Sequence, residues 1–184
     1  MLDNFLYNIN GFNLLIINAN TDNYNVKSYI DTGYMHETLD NLGINHLLEH
    51  VLINSNSNCN NDCITEMNQK GISMNATTGL HMINYYMSGL KSDLHLMIKF
   101  IIESSLKCDN INNNIIEKEK SAVLNELLQY SNNNFNNMYN VVYNNIFNIE
   151  GLKHFFNYEQ QITNLKKFNE KNLKEFCKKY YNKV

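Results

Sequence analysis

The chain has 184 residues, room for one domain with a proper core but too few for two ordinary ones. Hydrophobic residues make up 43% and charged residues 18%, which argues against a disordered chain. The net charge is −3 and every basic residue is Lys, so there is no basic footprint and nucleic acid is not an implied partner. Asn is abundant, in runs such as "NSNSNCNND" and "SNNNFNN". Because Asn, Ile, Lys and Tyr share AT-rich codons, the bias reads as a genome signature and not as chemistry.

In chain order, "FNLLIINAN" and "NVKSYIDTG" read as strands separated by the polar "TDNYN". A loop from Gly33 leads into a helical run over 43–53, and the Asn- and Ser-rich 54–63 reads as loop. "CITEMNQKG" predicts a short helix ending at Gly71. "ISMNATT" and "HMINYYMSGL", split by the turn "TTGL", predict a β-hairpin. Helices follow in "SDLHLMIKFIIESSLK", "NIIEKEKSAVLNELLQY", "MYNVVYNNIF" and the amphipathic tail "NLKKFNEKNLKEFCKKYY". Strands and helices that do not strictly alternate predict an α+β fold, with residues 1–184 as one domain.

No stretch approaches the roughly 18 apolar residues of a membrane span. The start lacks a basic region and a small-residue cleavage site, and an Arg-rich presequence is absent. The expectation is a chain without membrane contact, in the cytoplasm or in a compartment that the sequence does not specify. Cys59, Cys63, Cys108 and Cys177 read as free thiols of a reducing compartment. The CxxxC spacing of Cys59 and Cys63 lacks a second pair with which to hold a metal.

The chemistry concentrates in "GINHLLEHVLIN", residues 43–54. At 100° per residue, His46, Glu49 and His50 share an arc of about 100°. Ile44, Leu47, Leu48, Val51 and Leu52 occupy the other side. Two His at i and i+4 can reach one ion, and Glu49 lies beside both. The wheel leaves two readings open: a metal site, or a helix whose polar face meets solvent. A third ligand is on offer in "EKSAVLNELL", where Glu119 and Glu126 are seven apart and so share one helical face. Glu126 sits between hydrophobic residues, where a carboxylate is costly unless paired or metal-bound.

With these residues in place, the chain resembles the pitrilysin/insulysin (insulinase) family of zinc metallopeptidases, the inverted zincins with HxxEH. Glu126 follows His50 by 76 residues (126 − 50), with Glu119 seven before it, as in that family's pattern. Gly33, Glu37 and Gly43 match the approach to the motif. "GISMNATTGLHMINYY" matches the hairpin, and "IEGLKHFFNYEQQITNLKKFNEKNLKEFCKKYY" matches a later segment in which a short helix leads into a long one.

The resemblance implies one Zn²⁺ held by His46, His50 and Glu126, with Glu49 as general base toward a zinc-activated water. It implies Glu119 as a supporting carboxylate. It places Asn75 and Ala76 on an edge strand that pairs with an extended peptide. The activity implied is that of a zinc endopeptidase.

The chain departs from the family by stopping at "YYNKV" without a last strand or the second domain that supplies an Arg and a Tyr. The resemblance therefore implies a second insulinase-like domain, a partner chain or self-association. The alternative is a non-catalytic, zinc-binding half of a chambered complex.

Overall fold

The structure is a computed structural model and describes residues 3–19, 21–59 and 62–181. Asn20 at the end of the first expected strand, Asn60 and Asn61 in the expected loop, and the terminal 182–184 lie outside the described residues.

The expected α+β character holds. Strands β1 (Asp3–Ile9) and β2 (Phe12–Asn18) pair antiparallel with each other. The sequence reading placed no strand before residue 12, yet the signal was present. Asn10 and Gly11 both have positive φ, 53° and 89°, the geometry that an Asn-Gly pair supplies to a two-residue hairpin turn. Strand β3 (Asn23–Ile30) joins a separate antiparallel sheet of order β3-β5-β4, built with the expected hairpin β4 (Ser73–Thr78) and β5 (Ile83–Leu90). Ile83, Tyr85 and Met87 alternate inward from the central strand β5, so one face of this sheet carries the core. Strand β4 lies at the sheet's edge among the described strands.

Helix α1 (Ile44–Asn54) is the centre of the molecule. Its Leu47, Leu48, Val51 and Leu52 are wholly buried against the sheet, α3 (Leu94–Leu106), α4 (Asn113–Ser131) and α8 (Glu170–Tyr180). The short α2 (Cys63–Gln69) packs on β4. The third long helix begins earlier than expected, as α5 (Asn134–Ile146). The expected tail helix, 164–181, is interrupted: after a short α6 (Glu150–Lys153), its first two residues end α7 (Tyr158–Leu165), and α8 begins only at Glu170. The division falls at Asn169, whose side chain accepts from the Asn172 amide and starts α8. Asn112, Asn133 and Asn157 cap α4, α5 and α7 in the same way.

Both ends of α1 are pinned. Its first turn follows Gly43, whose φ of 90° suits glycine. The buried carboxylate of Glu37 accepts from the Gly43 amide at 2.7 Å and the Asn45 amide at 2.9 Å, satisfying amide donors at the helix start. Asn45 donates in turn to the Gly33 carbonyl. Gly151 of α6 packs on this loop so closely that a Cβ there would collide with the Tyr34 carbonyl oxygen. Beyond the other end, Glu103 of α3 accepts from the Ser57 amide, the Ser57 hydroxyl and Asn110.

The cysteines are paired, not free. Cys59 bonds Cys63 across the turn into α2, and Cys108 bonds Cys177, tying the turn after α3 to α8. Only the fold makes the second pairing visible, because its partners stand 69 residues apart.

Two predictions follow from these locks. Burial pushes the Glu37 carboxyl up to about 8, against the pull of the Gly43 and Asn45 hydrogen bonds. The folded chain thus holds a proton that the unfolded chain releases, and stability falls as pH rises from the ordinary value toward 8. Relative to Glu37→Gln, the wild type is expected to lose about 3 kcal/mol between pH 5 and 8 in urea unfolding; parallel pH profiles would refute this. Cys108→Ala is expected to lower the unfolding free energy by about 2–5 kcal/mol in the absence of reductant, and an unchanged urea midpoint would show that the pairing carries no stability.

Candidate metal centre

Helices α1 and α4 run antiparallel, since His46 faces Glu126 while His50, one turn on, faces Glu119, seven residues earlier. His46 Nε2 lies 3.2 Å from Glu126 Oε2, and His50 Nε2 lies 3.8 Å from the same oxygen. The two imidazole rings meet edge to face at 5.1 Å. One donor atom from each of His46, His50 and Glu126 lies within 4.8 Å of the others. His50 Nδ1 is 3.5 Å from the buried Glu119 carboxylate. A proton on Nδ1 would therefore point at Glu119 and leave the Nε2 lone pair facing the cluster.

Two neutral imidazole nitrogens and a carboxylate oxygen converging on one point are a donor set that zinc accepts, and the spread of their atoms is within side-chain adjustment of it. The residues therefore fit the zinc ion that the family resemblance implies. His46 Nδ1 is buried without a hydrogen-bond partner, so on that ring only Nε2 is engaged.

The electrostatics of the cluster are set by mutual contact. The His46 hydrogen bond, supported by the charge of His50, holds the Glu126 carboxyl below its ordinary range against burial. Burial works to lower the His50 imidazole, but the Glu119 contact and the charges of Glu49 and Glu126 outweigh it.

Glu49 is buried on the same face of α1 and accepts a 2.6 Å hydrogen bond from the Thr78 hydroxyl at the end of β4. All four residues open onto one cavity of about 450 Å³. Asn75, Ala76, Thr77 and Thr78 of β4 form one wall, and Leu127, Tyr130 and Tyr158 lie on another. Asn75 is exposed, and its Oδ1 accepts from the Ala76 amide at 2.8 Å. Glu119 stands behind His50 and does not line the cavity.

Thr78 and the aromatic wall of Tyr34, Tyr130, Phe155 and Tyr158 were not singled out from sequence. Tyr130 was within reach of sequence reasoning, because it follows Glu126 by four residues on the same helix. Phe155 and Tyr158 come from the α6–α7 connection, which no periodicity places near α1.

These features coincide with known proteins over most of the chain. The family-wide sequence profile described as insulinase (peptidase family M16) matches residues 14–177. The mitochondrial-processing peptidase subunit beta of Dictyostelium discoideum is 29% identical over 103 residues, 55% of this chain and 22% of its own. A protease from Helicobacter pylori superposes with a TM-score of 0.84 at 17% identity, over 98% of this chain and 44% of that one. Pitrilysin superposes with a TM-score of 0.78 at 16% identity, over 98% of this chain and 20% of its own. The present chain thus spans about a fifth of the curated relative that it matches. No described helix is long and apolar enough to cross a membrane. On the extent of the sequence match and the shared fold, the chain belongs to the insulinase family, peptidase family M16.

Proposed function

We propose that this chain is a zinc-dependent endopeptidase domain, with His46, His50 and Glu126 as metal ligands and Glu49 as general base. The observation that carries the reading is the convergence of His46 Nε2, His50 Nε2 and Glu126 Oε2 beside a buried Glu49 in one open cavity. Zinc held by these three groups would supply a Lewis acid that makes water nucleophilic at neutral pH and polarises the scissile carbonyl.

The remaining work falls to the chain itself. Thr78 donates to Glu49 Oε2 and so orients the carboxylate, leaving its other oxygen to accept a proton from the attacking water. The water oxygen bonds the carbonyl carbon, and the carbon–nitrogen bond breaks. The proton taken by Glu49 passes to the leaving amine nitrogen. Glu119 orients the His50 ring, and the loss of such a partner typically weakens metal binding 10–100-fold.

An extended peptide would bind by adding to the edge of β4 at Asn75 and Ala76, through main-chain hydrogen bonds that read little side-chain identity. Because Asn75 Oδ1 now accepts from the Ala76 amide, docking there requires that side chain to swing away.

The relatives are longer than this chain, 44% and 20% of two of them being covered. This supports a second insulinase-like domain, on a partner chain or on a second copy, that completes the substrate chamber. In its absence the same site would bind zinc in a non-catalytic half-subunit.

Purified chain is expected to carry about one zinc per molecule and to cleave unstructured peptides, a chelator abolishing both. Glu49→Gln should keep its zinc and lose at least about 100-fold in kcat. Absence of stoichiometric zinc, or activity indifferent to Glu49→Gln, would sink the proposal; zinc without cleavage until a second domain is added would favour the half-subunit.

A further inference from the structure

The cavity lining contributed by α4 includes a group that the hydrolytic scheme above does not use. Glu119, Glu126 and Tyr130 are spaced by seven and four residues along α4, so their side chains leave the helix within about 40° of one another. Tyr130 stands one turn, roughly 6 Å, beyond Glu126 on the side away from Glu119.

Tyr130 combines three features. It lines the same cavity as His46, Glu49, His50 and Glu126. At 45% exposure it is open to an incoming ligand, whereas Tyr34 is closed off at 6% with its ring against Phe155. Its own ring lies against Tyr158 at 5.7 Å, which limits where the hydroxyl can swing. Burial, and then the charges of Glu126 and Glu49, hold its phenol above the ordinary value, so at neutral pH it is a protonated donor.

A peptide added to the edge of β4 and crossing the His–Glu cluster would lie in the cavity that Tyr130 also lines. Its scissile carbonyl lies over the cluster, and negative charge grows on that oxygen as water adds. A hydroxyl donor lining the same cavity is the kind of group that stabilises such charge.

We propose that Tyr130 is a catalytic residue whose hydroxyl donates a hydrogen bond to the oxygen of the carbonyl being attacked. The hydroxyl keeps its proton throughout, so the proton balance through Glu49 is unchanged. The bond is stronger to the developing oxyanion than to the resting carbonyl, so its effect falls on kcat more than on KM. Tyr130 would then supply a part of the charge stabilisation from within this chain, whose 184 residues include no Arg.

The inference rests on the endopeptidase reading, and its test separates the two. The full chain and Tyr130→Phe are compared for zinc content, peptide hydrolysis and affinity for a peptide phosphonate, an anionic mimic of the tetrahedral state. The phenylalanine ring keeps the contact with Tyr158, so zinc content and KM for peptide are expected to stay within about threefold. The kcat and the phosphonate affinity are both expected to fall by about 100-fold. Zinc-loaded wild type and variant that agree within threefold in kcat and phosphonate affinity would overturn the role of Tyr130 alone. Zinc-loaded wild type that neither cleaves nor binds phosphonate would also overturn it. A chain that takes up no zinc would overturn the endopeptidase reading and this inference with it.

Discussion

The contact between α1 and α4 is the constraint on which the rest of the structure turns. It is a helix pair whose interface carries two imidazoles and two carboxylates. Such groups are costly to remove from water unless each meets a partner. Here His46 meets Glu126, and His50 meets both Glu126 and Glu119. The pairs hold only if α1 keeps both its height and its rotation relative to α4. A shift of one residue would turn every imidazole away by about 100°.

Most of the polar bonding described serves that placement. The apolar side of α1, from Leu47 to Leu52, sets the rotation by fitting into the core. Glu37 and Asn45 fix the start of the helix, and Glu103 gathers the chain that leaves it through Ser57 and Asn110. From α7, Asn164 donates to the carbonyls of Leu39 and Leu42 and holds the approach loop. The reading of the Asn bias as a compositional signature alone is therefore incomplete. Whatever its origin, Asn is the residue that caps α4, α5, α7 and α8. A short amide side chain that reaches a main-chain amide two or three residues on is suited to helix starts.

What could be read in advance was local or periodic. The His46–Glu49–His50 arc, the seven-residue step from Glu119 to Glu126 and the alternation along β5 all follow from helical or strand geometry. The fold agrees with each placement. What was missed depended on neighbours distant in sequence. Strand β1 lacks the support of the main sheet and shows itself only through its Asn-Gly turn. The cysteines read as free because four in a chain of this length make no dense framework, and the 69 residues between Cys108 and Cys177 say nothing of proximity. The division between α7 and α8 was hidden because the apolar rhythm runs on through a break that a single Asn cap imposes.

The sequence by itself determined which side chains share a face, because the helical repeat is a property of the backbone and needs no partner. It therefore determined the His–Glu set, its division between two helices, and the α+β order of elements. Only the tertiary structure decided that the two faces meet, that Glu119 stands behind His50 while Glu126 stands before it, and that Thr78 bonds Glu49. It alone brought Phe155 and Tyr158 to the cavity and placed β4, at the sheet's edge among the described strands, beside it. Those relations arise from packing between segments as much as 112 residues apart (158 − 46), for which periodicity carries no signal.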